Sequence, residues 1–464
     1  YGNIYAQESY DWEVTDLGNG RFFPRLATEM EFLYDVPYTA TRDKSMDYTY
    51  NTTTGRVTQV KEWGQIDANP TSLYVSSTML GDERTANTTY TVNTADWLVL
   101  PNVVTLLDTN NNQVSATDYD YDSAGNLVDE NHWLNTDNSW LNTHYTINGY
   151  GLATAVRNPR NITTSFTYDS ENLYPAIVTN ALSQTSTFIY DYLSGKMASQ
   201  TDPNGATSSS TYDGLGRTMQ QFVPHPDTGI ATLFSTTSYF DTASPRYGTT
   251  SITVNSVTST SRAYRDGFAR PLQMWQSNEG SNNVNDFWYD ENGRLEEQTL
   301  PYSSTASSWS GRSSTAPSAT YVYDVVDRVI SQTLPVGTTT RNYNSDPWIV
   351  TVTDANGNQK VYHHDSYGNV VLVQEITSSG TFSTTYVYDA RNILTYHSDH
   401  QGNVQNFIYD SLGRKVVHEE PRRTWVSVDP EWQYTYDPNG NALTVTRPNG
   451  DTTGYEYDVL DRVL

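Results

Sequence analysis

The sequence predicts an all-β protein laid out as an antiparallel meander of short hairpins. Three observations carry that prediction: a turn signal that recurs along most of the chain, aromatic residues paired two apart in front of it, and a composition poor in helix formers. The 464 residues include 36 Tyr and 28 Gly with only 17 % charged residues, and no stretch of Ala, Leu, Glu and Lys falls at helical spacing.

The turn signal is clearest between Asp202 and Arg217. Asp202-Pro203-Asn204-Gly205 and Asp213-Gly214-Leu215-Gly216 each place Asp first, where its carboxylate accepts backbone N–H bonds, and Gly fourth, where the chain passes through positive φ. They lie 11 residues apart with room for one strand between them. The unit recurs at Tyr121-Asp122-x-x-Gly125, Tyr212-Asp213-x-x-Gly216, Tyr289-Asp290-x-x-Gly293, Tyr409-Asp410-x-x-Gly413 and Tyr436-Asp437-x-x-Gly440, with further Tyr-Asp pairs at Tyr168, Tyr190, Tyr323, Tyr388 and Tyr457. The closest repeats are 21 to 24 residues apart, and a second turn falls 11 residues before the Asp at Asn158, Asn180, Asp202, Asp354, Asp399 and Arg447. The chain is therefore expected to reverse direction about every 11 residues. Where the fourth turn position is not Gly it is Asn172, Asn392, Asp327 or Asp461, residue types that tolerate left-handed backbone, and Ala269 is the exception.

In front of the turn stand aromatic pairs such as Phe188 and Tyr190, Tyr386 and Tyr388, Phe407 and Tyr409, and Tyr434 and Tyr436. A period of two puts each pair on one face of its strand. Neighbouring repeats are expected to align these rings as cross-strand ladders, each contact contributing roughly 0.5 to 1.5 kcal/mol beyond burial.

Residues 1–110 carry the pattern weakly and read as a degenerate form of the same architecture, and residues 111–464 read as one repeat array. Two insertions, about 224–262 and 302–320, are expected as surface loops because the first holds Pro224, Pro226 and Pro245 and the second is Ser-rich. The chain starts at Tyr1 and stops inside a repeat, so it is read as an internal piece of a longer polypeptide.

The 53 acidic residues against 27 basic ones, a net charge of −26, argue against a nucleic-acid partner and against an anionic membrane surface. Cysteine is absent, which excludes disulfides, thiolate metal sites and a Cys nucleophile, and no apolar run approaches 18 residues. No catalytic, cofactor or metal site is assigned. His363, His364, His397 and His400 invite a zinc reading, but the meander places His364 at one edge of the strip and His397 and His400 at the other, a strand length apart. Asp354-Ala355-Asn356-Gly357-Asn358 and Asp437-Pro438-Asn439-Gly440-Asn441 imitate a calcium loop without its later Glu, and they recur where hairpins are needed. No Gly-x-Ser-x-Gly elbow and no phosphate-cradling loop occurs, so the reading is not an enzyme, and Asp213 and its equivalents are turn formers rather than acids.

The phased Tyr-Asp-x-x-Gly-Arg/Asn units at Tyr121, Tyr212, Tyr289, Tyr409 and Tyr436, alternating with the turns at Asp202 and Asp437, resemble the YD-repeat or rearrangement-hotspot (Rhs) family over about 350 residues. The stretch Thr91 to Tyr168, with Asn93 to Leu98 and Asn131 to Leu134, looks most like the shell region of B components of Tc insecticidal toxin complexes. The resemblance implies a β-strip wound as a spiral shell. It also implies enclosure of a C-terminal toxin or effector segment as partner, association with other toxin-complex subunits, a secreted or cell-surface bacterial protein, and no cofactor. Teneurins, which use a similar shell for adhesion, supply the alternative of an adhesion or glycan-binding surface protein. The self-cleaving core that ends toxin-carrying members is not found in these residues, so self-cleavage is not assigned.

Overall fold

The computed structural model describes residues 6–16, 20, 22–34, 41–69, 74–78, 82–93, 98–225, 228–254, 257–278, 280–306, 308–309, 311–343, 346, 348–421 and 430–464. The protein is all-β: among the described residues 37 strands, from Ala6–Asp16 to Thr452–Gly454, form an open antiparallel sheet, and no helix occurs. Among those residues, then, no helix is long and apolar enough to cross a membrane. Strands pair in sequence order, as Thr185–Asp191 with Lys196–Thr201 and Lys196–Thr201 with Thr207–Tyr212, because a short hairpin offers the next strand as the nearest partner. Two strands take two neighbours on one side: Val57–Asn69 pairs with Tyr74–Thr78 and Arg84–Asn93, and Ser281–Tyr289 pairs with Leu295–Thr299 and Tyr302–Ser304.

The chain divides into two compact units, one comprising Tyr1–Thr163, Arg341–Thr353 and Gly357–Leu464, the other Thr164–Thr340 and Asp354–Asn356. In the first, Met30, Phe32 and Ile66 form a small buried cluster with Trp63 against it. In the second, Tyr264, Trp275 and Val284 are buried together under Tyr247, Tyr302 and Trp309. Both clusters are small, so hydrogen-bonded ladders and the side-chain network at the turns carry the rest of each unit's cohesion.

The two edges of the strip differ in register. Between Thr211 and Tyr212 the pairing steps from Gln220 to Thr218, leaving Met219 without a partner residue, and the same shift recurs immediately before Tyr121, Tyr168, Tyr190, Tyr289, Tyr323, Tyr388, Tyr409 and Tyr436. The opposite edge is regular at most of its turns, as where Ser199, Gln200 and Thr201 face Ser209, Ser208 and Thr207, with shifts before the turn at Asp108 and between Gln221 and Phe222. A bulge bends its strand and increases the local twist, and repeating it mainly on one edge adds curvature of one sense.

Of the two segments expected as surface loops, the first is built into the sheet, whereas the second keeps a loop over residues 305–317 between Tyr302–Ser304 and Ser318–Tyr323 and packs it on the sheet. Residues 224–262 contribute the strands Ala231–Phe240, Arg246–Val254 and Val257–Arg265, with Pro224 ending the preceding strand and Pro245 standing just before the next, positions where a missing N–H costs no ladder bond. Within 302–320, Trp309 packs on Tyr264 with ring centres 5.2 Å apart, Gly311 O accepts Gln273 Nε2 (3.1 Å), and Ser313 N donates to the buried Asp286 carboxylate (2.8 Å). Pro226, and Thr94 to Trp97 of the stretch that resembles Tc B components, lie outside the described residues.

Candidate functional site: the Tyr-Asp turns and the seam

Each Tyr-Asp turn is a closed hydrogen-bond set. Asp213 N donates to Arg217 O and Gly216 N to Asp213 O, both at 2.9 Å, which makes a type I turn whose αL residue is Gly216 at φ +74°. The carboxylate fills the loop from inside: Oδ1 accepts the N–H groups of Leu215 and Arg217, both at 2.9 Å, and Oδ2 accepts Arg217 Nε at 2.8 Å. Asp290 repeats the set with Asn292, Arg294 N and Arg294 Nε (3.0, 2.9 and 2.7 Å), and Asp410 with Leu412, Arg414 N and Arg414 Nε (3.0, 2.9 and 2.6 Å). At Asp122 and Asp437 an amide replaces the guanidinium, Asn126 and Asn441 Nδ2 each reaching Oδ2 at 2.8 Å. Gly125, Gly293, Gly413 and Gly440 stand at φ +85°, +85°, +78° and +93°, and Asn172, Asn392, Asp327, Asp461 and Ala269 are also at positive φ. Ala269 is held there by the surrounding bonds, its N–H donating to Asp266 O at 3.1 Å.

These bonds stabilise the carboxylate form. The Arg217 N–H and guanidinium hold Asp213 below the usual Asp range, and Asn126 does the same for Asp122. At Asp290 the opposing effect of burial is outweighed by Arg294, and Arg462 lowers Asp458 to about 2.

A second set of bonds joins each repeat to the one before. Tyr436 Oη donates to Lys415 O (2.7 Å), Tyr289 to Pro271 O (2.9 Å), Tyr323 to Leu295 O (2.7 Å) and Tyr457 to Ala442 O (3.0 Å). In every case the acceptor is the residue following the Arg or Asn of the preceding turn; Tyr212 follows the same geometry, reaching Met197 O just after Lys196 (2.6 Å). The Arg of that turn lies over the incoming ring: Arg270 over Tyr289 (4.4 Å), Arg294 over Tyr323 (4.7 Å) and Arg414 over Tyr436 (5.0 Å). Two of these guanidiniums also reach the next turn, Arg414 Nη1 to Asp437 O (2.9 Å) and Arg294 Nη1 to Asp324 O (3.1 Å), as does Arg391 Nη1 from the Asp389 turn to Asp410 O (2.6 Å). Tyr121 and Tyr409 occupy the equivalent half-buried place, and burial raises the pKa of both phenols.

The rings therefore meet partners other than those expected. Tyr190 does stack on a ring, Tyr174, at 4.5 Å, but Tyr289, Tyr323 and Tyr436 are covered by arginine. The first aromatic of a pair meets its cross-strand partner instead, Phe407 on His418 (4.8 Å) and Tyr386 on His397 (5.2 Å), while His400 stands edge-on to Phe382 (4.7 Å). His363 faces Gln374 and His364 faces Trp348 O, and no metal-holding group of three His, Cys, Asp or Glu occurs among the described residues. A cleft of about 990 Å³ in the second unit is lined by Tyr239, Asp241, Arg262 and Asn283 among others. Asp241 is its one carboxylate among the described residues, and Arg217 clamps it at 2.8 and 2.7 Å. The cleft thus offers no acid and base pair.

Within the first unit the strip meets its own earlier edge. Tyr367 Oη donates to Asp82 O (2.8 Å), Ser366 Oγ to Asp82 Oδ2 (3.2 Å), and Arg84 covers the Tyr367 ring (4.2 Å) while donating to Ala390 O (3.1 Å). Asn135 and Ser411 exchange two bonds, Ser411 N to Asn135 Oδ1 (2.8 Å) and Asn135 N to Ser411 Oγ (3.0 Å), and Ser411 Oγ also donates to Trp133 O. Arg160 closes the row: Nη1 reaches Asp458 O (3.0 Å) and the Asp461 carboxylate, Nη2 reaches Tyr457 O (3.2 Å), and Nε faces Asp437 Oδ2 (3.3 Å). The partners are 276 to 306 residues apart, and each contact sets a Tyr-Asp turn against a turn of the opposite edge.

Residues 436–464 match the RHS Repeat family. The turns at Asp437 and Asp458 therefore lie in an RHS repeat. Its fold matches the crystal structure of TcdB2-TccC3 with a TM-score of 0.80 at 13 % identity, covering 99 % of this chain and 32 % of that one. It also matches TcdB2-TccC3 without its hypervariable C-terminal region (0.78, 12 %, 99 % and 33 %) and the Photorhabdus luminescens Tc holotoxin pore (0.78, 11 %, 99 % and 33 %). The chain thus spans about a third of the length of the chains whose fold it shares. No curated protein matches.

The sequence signals its turns but not its clamps. Arg217, Arg294 and Arg414 follow the turn Gly in the repeated motif, and that recurrence was the available signal for their role. Arg160 stands in the turn Asn158-Pro159-Arg160-Asn161, and no repeat pattern marks it.

Proposed function

We propose that this chain is a wall segment of a β-shell that encloses a toxin or effector polypeptide, and that its role is structural rather than catalytic. The observation that carries the reading is the seam: a strip that hydrogen-bonds to its own earlier edge through Asp82, Asn135 and Arg160 is a wall rather than an open ribbon. A wall of this kind keeps an enclosed segment from proteases. The bulge on the Tyr-Asp edge and the arginine clamps give the wall its curvature and rigidity. The carboxylates of its repeats are spent on turns, as at Asp213, Asp290 and Asp410, which supports a non-enzymatic reading. On this reading the protein is part of a secreted toxin, its partners are the enclosed segment and other toxin-complex subunits, and it uses no cofactor. On this reading the enclosed segment follows Leu464 in a longer polypeptide, and the test is proteolysis of that polypeptide with and without the seam substitution Arg160→Ala. The enclosed segment is expected to survive proteinase K in the parent and to be digested in the variant. Equal digestion in both would overturn the proposal.

A further inference from the structure

The cleft of the second unit lies on one face of the consecutive strands Ala231–Phe240, Arg246–Val254, Val257–Arg265, Pro271–Asn278 and Ser281–Tyr289, and their register shapes it. Tyr239 faces Gly248, Gly248 faces Ala263 and Ala263 faces Met274; one step along, Thr237, Thr250, Ser261 and Gln276 face one another in the same order. Alternate residues share a face, so Gly248, Thr250, Ser261 and Ala263 make a floor of small side chains across the two middle strands. Tyr239 stands on one side of this furrow and Met274 with Gln276 on the other, three strand spacings or about 14 Å apart. Gly248 has unbroken register on both sides and no positive φ, and a Cβ there would make only an ordinary 3.6 Å contact with Tyr239 Cδ1. Glycine weakens a strand interior, and where neither bulge nor turn requires it, it leaves room for something to approach the backbone. At one end of the furrow Arg246 and Arg265 are cross-strand partners, a like-charge pair that costs stability. The arginines of the Tyr-Asp turns, such as Arg270 and Arg294, each hold a carboxylate, but Arg246 and Arg265 make no ion pair among the described residues. Arg246 Nη2 donates to Asp266 O (3.0 Å) and Gly267 O (2.9 Å), and Arg265 Nη1 to Ala269 O (2.9 Å), which fixes both guanidiniums and leaves the other N–H groups of each fork for a ligand. Asp241 lies within electrostatic reach of Arg246 but is clamped by Arg217.

We propose that this furrow is a binding site for an acidic oligosaccharide, with a carboxylate held between Arg246 and Arg265 and ring hydroxyls bonded by Thr237, Ser261 and Gln276. Its volume of about 990 Å³ stands at the upper end of the range of about 300 to 1,000 Å³ found for small-ligand sites, which suits several linked sugars better than one. The hydroxyls and amides of floor and wall both donate and accept, as a ligand with many hydroxyl groups requires. The wall is preformed: Arg217 lies over the Tyr239 ring (3.9 Å) and Tyr239 Oη donates to Thr218 O (3.2 Å). An acidic peptide fits less well, because the strands of the floor and walls are paired on both sides and offer no edge for a backbone. A densely charged polyanion is disfavoured by the net charge of −26. The site belongs to the second unit alone and is independent of what the strip encloses.

The test is calorimetric titration of the 464-residue chain with short uronate and sialyl oligosaccharides, with their methyl esters as neutral counterparts and a short polyglutamate peptide as the rival anion. Saturable binding of an acidic sugar is expected, about 10-fold or more tighter than that of its ester. Arg246→Gln and Arg265→Gln change exposed side chains and are each expected to weaken it about 10-fold or more. Gly248→Val fills the floor where a Cβ is tolerated and is expected to abolish binding, whereas Arg157→Gln, at an exposed arginine of the other unit, is expected to leave it unchanged. Thermal unfolding midpoints equal to the parent's show that the variants have lost the ligand rather than the fold, and the two exposed arginines keep the test open should Gly248→Val not fold. The proposal is overturned by absence of saturable binding of either sugar below about 10 mM, by equal affinity for acid and ester, or by arginine variants that bind as the parent does. Equal weakening by Arg157→Gln also overturns it, as general charge attraction, and tighter binding of polyglutamate overturns it and assigns the cleft to an acidic polypeptide.

Discussion

Arg160→Ala is expected to open the seam without unfolding the strip. The side chain is 20 % exposed and serves the Asp437 and Asp461 carboxylates and the Asp458 and Tyr457 carbonyls, while the Arg160 backbone N–H to Asn439 Oδ1 survives truncation. Hydrogen bonds involving a charged group contribute about 1.5 to 3 kcal/mol each, and removing one partner of a fully buried pair costs about 3 to 5 kcal/mol. Partial exposure and the amides of Asn439 and Asn441, which also serve Asp461, reduce this, so a cost of about 2 to 4 kcal/mol is expected. That corresponds to local opening increased by roughly 30- to 1,000-fold. Hydrogen exchange reads it directly at the amides of Gly440, Asp461 and Leu464, which are bonded to Asp437 O, Asp458 O and Glu456 O. Arg160→Lys keeps the charge but loses the planar fork and is expected to fall between the two. Exchange at residues 437–464 unchanged within about twofold would refute the assignment of Arg160 as the closing residue, since an opening free energy so little altered leaves no room for these bonds.

Three further outcomes follow from the turn geometry. The double substitution Gly216→Val and Gly413→Val places a β-branched residue at φ +74° and +78°, with the added Cβ 3.3 Å from Ser194 Cβ and 3.0 Å from Ile393 Cδ1; about 1 to 3 kcal/mol per site and faster proteolysis are expected, and unchanged resistance counts against the turn assignment. Arg414→Ala leaves the Asp410 carboxylate, 1 % exposed, without its guanidinium and uncovers Tyr436; a loss of about 3 to 5 kcal/mol in urea unfolding is expected, against near-neutrality if the clamp is incidental. Acid should loosen the turns in a defined window. Asp122, Asp213, Asp290 and Asp458 have folded pKa values below their unfolded ones, so each stabilises the fold above about pH 4 and loses that contribution as pH falls through its folded value, about 2 for Asp458. Thermal unfolding is expected to be flat from pH 7 to about 5 and to fall steeply below about 4, and a flat profile to pH 2 would count against these bonds.

The turns were legible because everything they need lies within five residues. Asp213 supplies the acceptor, Gly216 the positive φ and Arg217 the closing carbonyl, so spacing alone identifies them. Even Ala269, the residue least suited to its place, adopts φ +65° because the repeat dictates the position. Residues 224–262 form strands despite their prolines because Pro224 and Pro245 stand at strand ends, where a missing N–H costs no ladder bond. The arginine and tyrosine clamps were half legible. Their recurrence is in the sequence, but that Tyr436 reaches Lys415 O, 21 residues back, depends on a bulge that shifts the register by one residue and turns the phenol toward the preceding turn.

The sequence by itself therefore determined the hairpin, its period and its handed turn, since these follow from short-range sterics and the hydrogen-bonding of one carboxylate. Only the tertiary structure decided what the strip closes on. Arg160 and Asp461 are 301 residues apart, and nothing local to either selects the other. Their meeting is set by the curvature summed over every intervening bulge, a quantity to which each repeat contributes a little and which no single repeat displays.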